Sequence, residues 1–237
     1  MKKLAIFVEG KTERVFVERL ISQLISARRY QIAVYEAVGG RRTPRQLNLV
    51  YSTPGSPDHE FYVQIVESRN DGRVASDVRD NYASLEARGF EAIIAIRDVY
   101  PDATAAQIPM LRRGLRYGIR TVPIDPLFIL GVMEVEAWFV AEHNHFPHIH
   151  PNITCPRILA TYGYDPTTHD CQQLACPHDE LHNIYQLEGR AYNKTGAHIQ
   201  RTVNVLDYGY VYLDMADRFP DLRALVDALD AFFTPPP

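Results

Sequence analysis

The stretch Leu4-Ala5-Ile6-Phe7-Val8-Glu9-Gly10-Lys11-Thr12-Glu13 decides how the rest of the chain is read. Five apolar residues in succession, Leu4 to Val8, mark a strand buried on both faces, as in a parallel sheet covered by helices. Glu9 stands where that strand ends. Gly10 lets the chain turn with no Cβ penalty. Thr12 is the expected N-cap of a helix, with Glu13 in its first turn, where the helix dipole favours negative charge. A strand-turn-helix junction brings Glu9 and Glu13 together as a candidate metal or acid/base site. The ordinary alternative is a solvated strand end followed by a helix-start stabiliser.

Working outward, Val15, Phe16, Leu20, Ile21, Leu24 and Ile25 recur at helical spacing, which predicts an amphipathic helix over 12–27. A second strand is expected over 31–37. Gly39 to Arg45 then offers two glycines with Arg41, Arg42 and Arg45, a candidate cradle for a phosphate backbone or else a solvated basic loop. Residues 52–59 read as loop and 61–66 as a strand. Within 72–89 a helix is expected with Val78, Tyr82 and Leu85 inward. Ala92 to Asp98 is a second apolar run closing on a carboxylate, with Asp102 in the turn beyond it and a helix over about 105–117. The third such run is Leu127 to Met133, followed by Glu134 and Glu136 at a strand-to-helix junction, with Trp138, Phe139 and Val140 as the helix's core side. The fold class that follows is α/β, a mostly parallel Rossmann-like sheet flanked by helices. In such sheets sites form outside the carboxyl ends of the strands, so Glu9, Asp98 and Glu134 or Glu136 are candidates to converge at one rim.

The chain has 237 residues, 46% of them hydrophobic, enough for one α/β domain with an elaboration. Its net charge of -4 excludes a wholesale polyanion binder. The charge is uneven: residues 1–50 carry ten Lys/Arg against four Asp/Glu, and the remainder fifteen against twenty-five. Cations that hold an anion beside carboxylates that hold a metal would suit phosphate chemistry, and a protein partner would suit it too. Three cysteines, no basic leader with an apolar core and no apolar run long enough for a bilayer lead to the expectation of a soluble, cytoplasmic protein without disulfides. The Pro235-Pro236-Pro237 end is expected to fray.

Residues 143–182 hold seven of the nine histidines and all three cysteines, at spacings that match no familiar zinc finger and with no Cys-x-x-Cys pair. Structural zinc is therefore not favoured, and this segment is expected to be a polar, loop-rich insert with mostly exposed histidines. Ile199, Val203 and Leu206 predict a further helix, and Pro220 to Leu229 a closing one. The domain reading is a core over 1–142 and a His-rich, loop-rich and helical elaboration over 143–237. Lys194 sits in a polar loop from which it could approach the acidic rim; a surface lysine is the ordinary alternative.

Glu9-Gly10-x-Thr12-Glu13 at the end of a first strand, followed by an aspartate closing a central apolar strand, resembles a TOPRIM domain. More narrowly the chain resembles the small bacterial TOPRIM proteins related to the OLD (overcoming lysogenisation defect) nucleases, with Glu134-x-Glu136-Ala137-Trp138-Phe139 and Tyr192-x-Lys194 similar to that group's acidic helix start and late lysine. The resemblance covers about residues 3–230, except 40–75 and 143–182. It implies a TOPRIM-like fold and a Mg2+- or Mn2+-dependent nuclease cutting DNA or RNA, linked to phage defence and working with an ATPase partner. It implies Glu9, Glu13 and Lys194 as catalytic residues and Glu9, Asp98, Glu134 and Glu136 as metal ligands, with Asp102 as a substitute ligand. One departure stands out: Tyr100 occupies the second position of the family's Asp-x-Asp. Lys11, Arg41, Arg42 and Arg45 are the nucleic-acid contacts this reading selects.

Two functions follow. One is a metal-dependent phosphodiesterase. The other is a catalytically degenerate TOPRIM-like module that docks on an ATPase or on a second copy of itself. A third, nucleotide binding through Gly10-Lys11-Thr12, is rejected, because a P-loop needs glycine where this chain has Ala5.

Overall fold

The computed structural model describes residues 1–40, 43, 45–69, 72–101 and 103–234. The chain divides into two compact units, one of Met1–Arg97, Ile108–Leu130 and Ala224–Pro237, the other of Asp98–Gln107 and Gly131–Arg223. Among the described residues no helix is long and apolar enough to cross a membrane.

The first unit is built on β1 (Lys2–Val8), α1 (Lys11–Leu24), β2 (Tyr30–Val38), β3 (Gln46–Ser52), β4 (Phe61–Glu67), α2 (Val74–Ala87), β5 (Ala92–Asp98), α3 (Ile108–Arg116) and β6 (Leu127–Gly131). The six strands lie in the order β3-β2-β4-β1-β5-β6. β1 runs parallel to both β4 and β5, and β2 parallel to β4, with β3 antiparallel on the edge. This is the expected α/β class: a mostly parallel, Rossmann-like sheet flanked by helices. Leu4 to Val8 are fully buried, which is why that run had to be apolar on both faces. Each such side chain contributes about 1.5–3 kcal/mol of burial. Val78, Tyr82 and Leu85 of α2 are buried as the periodicity requires, and Phe232 and Phe233 pack on Phe61.

Several local expectations are corrected. α1 is capped by Gly10 rather than Thr12: Gly10 is extended, and Glu13 reaches back to accept from its N–H at 2.9 Å. That reciprocal bond substitutes for a side-chain cap. The helix also ends at Leu24, because Ile25 is extended. β3 is a strand that the sequence does not signal. Its Leu49, Val50 and Tyr51 are exposed, so it carries no burial pattern, and its ladder to β2 alone makes it a strand. The Pro235–Pro237 tail lies outside the described residues.

The second unit takes Asp98 from the end of β5 and Gly131 from the end of β6. It continues through α4 (Glu136–Ala141), α5 (Phe146–Ile149), α6 (Cys155–Tyr162), α7 (Pro177–Gln186), α8 (Gly196–Val205), α9 (Tyr208–Tyr210), α10 (Ala216–Arg218) and the start of α11 (Pro220–Phe233). The segment expected to be loop-rich is thus largely helical, and α4 packs against α7. The expected exposure is corrected as well: of the seven histidines in 143–182 only His148 is exposed, five are half-buried, and one, His145, lies in the core. It is fully buried, with Nδ1 3.2 Å from the Glu142 carboxylate and Nε2 2.9 Å from the Tyr185 hydroxyl, which in turn lies 3.0 Å from the Thr202 hydroxyl. A histidine can enter a core when both ring nitrogens have partners, and composition does not reveal those partners.

Candidate metal centre

The two strand ends that open the second unit are tied by backbone. Val99 N donates to Gly131 O at 3.0 Å, and Tyr100 N to Met133 O at 2.8 Å. The turn after β5 is thereby laced to the turn after β6, which puts Asp98 beside the residues that lead into α4. Asp98 Oδ1 accepts from Val135 N at 3.0 Å. Met133 is held at φ +61, in the left-handed region that costs a side-chain-bearing residue about 1–2 kcal/mol. Gly131 is where this close approach needs a glycine. A Cβ there would collide with the Asp98 carboxylate and sit 2.9 Å from Val135 N.

Asp98, Glu134 and Glu136 are all buried, and one oxygen from each lies within 4.8 Å of the others. Glu134 Oε1 accepts from Lys194 Nζ at 2.9 Å, and its Oε2 from the backbone N–H of His178 in the first turn of α7 at 2.8 Å. Glu136, wholly inaccessible to solvent, accepts from the Tyr192 hydroxyl through Oε1 at 2.9 Å. Its Oε2 lies 3.2 Å from Lys194 Nζ as an ion pair but has no hydrogen-bond partner of good geometry. Lys194 comes from the loop before α8, at φ +47, with Thr195 capping the helix behind it. Burial opposes the charge on Lys194, but the carboxylates of Glu136, Glu134 and Asp98 and the hydrogen bond to Glu134 outweigh it and hold the ammonium's pKa above its ordinary value.

The donor set suits a hard divalent cation. It is all carboxylate oxygen, which Mg2+ and Mn2+ prefer over softer ligands. The fully buried Glu136 Oε2 without a hydrogen bond is the kind of acceptor a cation would satisfy.

Of the residues selected from the sequence, Asp98, Glu134, Glu136 and Lys194 are brought together in the second unit. Glu9, Lys11, Glu13 and Arg45 belong to the first. Glu9 is half-buried just beyond β1, its carbonyl accepting from Arg69 N at 2.9 Å. Glu13 serves the start of α1, the ordinary alternative, and Lys11 is exposed. Arg45 already has partners within this unit. Its guanidinium grips both oxygens of Asp77, one at 2.7 Å, and donates to Ser68 O at 2.6 Å and Gly39 O at 3.2 Å. It is engaged inside the protein, because a nearly inaccessible Asp77 needs a counter-ion. Asp102, Arg41 and Arg42 lie outside the described residues.

Tyr100, at the departing Asp-x-Asp position, is an exposed phenol. The neighbouring Cys176, then partial burial and the charges of Glu134 and Asp179, raise its pKa above the ordinary value, so it does not supply the anion an aspartate would. Among the described residues the histidines and cysteines of 143–182 form no group of three ligands, and all three cysteines are free.

The sequence reading did not find Tyr192 as the donor to Glu136, the backbone of His178 as the donor to Glu134, or Gly131. Gly131 left a legible signal, since glycine inside an apolar strand marks a close approach. Tyr192 is visible only as part of the Tyr192-x-Lys194 pattern, and the His178 backbone leaves no signal, because both roles depend on which loops meet. Compared with known proteins, the chain matches no family model, no curated protein and no solved structure.

Proposed function

We propose that this chain is a metal-dependent phosphodiesterase acting on nucleic acid, a nuclease of the TOPRIM type. The observation that carries the reading is the convergence of three buried carboxylates on one lysine, with one buried oxygen, Glu136 Oε2, left without a hydrogen bond. Buried charges at such density need a counter-ion, and the left-handed Met133, next in sequence to Glu134, and the left-handed Lys194 are strain of the sort that collects at functional sites. Asp98, Glu134 and Glu136 would hold Mg2+ or Mn2+. A cation so held supplies Lewis acidity toward a phosphate and a bound water of lowered pKa. Lys194, kept charged by its neighbours, is the residue to neutralise charge developing on the phosphate. Glu134, anchored by the first turn of α7, orients Lys194. Glu9 and Glu13 as catalytic groups, the ATPase partner and the phage-defence role enter on the motif resemblance alone.

A second reading, a catalytically silent docking module, is favoured by one feature. Lys194 already bridges Glu134 and Glu136 as an internal counter-ion, beside a tyrosine where the resemblance implies an aspartate. One experiment separates the two. Mn2+ binding is measured by calorimetry, with and without nucleic acid, on wild type and on Asp98→Asn/Glu136→Gln. Cleavage of labelled DNA, mRNA and tRNA follows. Binding and metal-dependent cleavage that both vanish in the double variant support the nuclease. No binding to a folded wild type under either condition overturns it in favour of docking.

A further inference from the structure

We infer that Tyr192 is a positioning residue for Glu136: its hydroxyl holds one carboxylate oxygen so that the other is presented to the cation. The inference deepens the proposed function and rests on the cluster being a metal site.

The terminal torsion of a glutamate is broad, so a buried carboxylate needs an outside donor to fix which oxygen points where. At Glu136 that donor is a phenol. Tyr192 is fully buried and donates to Oε1 at 2.9 Å, which leaves Oε2, without a hydrogen bond, as the oxygen turned toward Lys194. The ring itself has little freedom. It packs edge-on against Tyr185 at 6.2 Å between centroids and lies 6.0 Å from the His178 ring. Its backbone is pinned too: Tyr192 N and O lie 3.3 and 3.0 Å from Nδ1 of His182 on α7. Two residues on, the left-handed Lys194 brings its ammonium to the opposite oxygen. The loop 192–194 therefore addresses both oxygens of Glu136, one by a fixed neutral donor and one by a displaceable cation. Donors that orient a ligand in this way are typically worth 10–100-fold in metal affinity.

The test is Tyr192→Phe, which keeps the ring and removes only the hydroxyl, with Tyr185→Phe as the matched control. Tyr185 is an equally buried phenol of the same unit whose hydroxyl meets His145 and Thr202 and none of the three carboxylates. Mn2+ affinity is read by calorimetry and folding by circular dichroism melts without metal. Tyr192→Phe should lose about 10–100-fold in Mn2+ affinity while Tyr185→Phe stays within about twofold. A merely structural role would weaken both variants in step with their melting temperatures, and that result would overturn the inference. So would wild-type Mn2+ affinity in Tyr192→Phe. If wild type itself binds no Mn2+, the proposed function fails first and takes the inference with it, an outcome distinct from the other two.

Discussion

Lys194→Met removes the ammonium from the cluster and leaves a side chain of similar length. In the protein without metal, Nζ lies 2.9 Å from Glu134 Oε1 and 3.2 Å from Glu136 Oε2, so it fills the space where a cation would meet the same two oxygens. A cation entering the site has to displace those contacts. A hydrogen bond to a charged group contributes about 1.5–3 kcal/mol net. Lys194 retains 35% of its side-chain exposure, so the lower end applies and only once. Displacement then costs about 1.5 kcal/mol, and at 1.4 kcal/mol per factor of ten the variant should bind Mn2+ about tenfold more tightly than wild type. The same change leaves three buried carboxylates without their ammonium. The metal-free variant should therefore lose about 1.5–3 kcal/mol of stability in urea unfolding, discounted for the partial exposure of Lys194, and saturating Mn2+ should restore it by mass action. Cleavage should be lost despite the tighter binding. Calorimetry at pH 8 and urea titrations with and without Mn2+ read all of this. Mn2+ affinity equal to or weaker than wild type would refute the reasoning, since the lysine would then not be standing where the cation goes.

Three further outcomes are expected. Gly131→Ala should cost about 1–3 kcal/mol by overpacking and lower Mn2+ affinity, because its Cβ strikes Asp98 and Val135 N, whereas Gly114→Ala on α3, with open space around its Cβ, should gain about 0.5–1 kcal/mol in the same thermal melts. Arg45→Met should cost about 3–5 kcal/mol in urea unfolding, because Asp77 is left buried without its partner; Asp77→Asn in the same chain should recover part of that loss. Cys171 should be the slowest of the three cysteines to react with iodoacetamide at pH 8, read by mass spectrometry of the native protein. Burial pushes its thiol up to about 12, so almost none is thiolate there; labelling as fast as in unfolded protein would contradict its burial.

The elements that could be read in advance were those whose surroundings dictate their residue type. β1 and β5 are covered on both faces, so Leu4 to Val8 and Ile93 to Ile96 had to be apolar runs, and runs of that length between turn residues read as strands. α1 and α2 show their buried stripe at helical spacing for the same reason. β3 and the helices of 143–182 were not legible. β3 lies exposed on the sheet edge, where burial leaves no pattern, and the short helices after His143 are set by packing within their own unit rather than by long periodic runs.

At the site, the sequence by itself determined which acids stand at strand ends: Glu9 after β1, Asp98 closing β5, Glu134 and Glu136 beyond β6. It did so because an apolar strand that stops at a carboxylate needs no distant information to be recognised. Which of those acids share a cation's space was decided only in three dimensions. Asp98 and Glu134 meet through backbone bonds between two turns, His178 reaches Glu134 across 44 positions of chain, and Tyr192 reaches Glu136 across 56. A hydrogen bond between distant loops depends on how helices pack, and packing is a property of the whole folded unit that no local run of residues encodes.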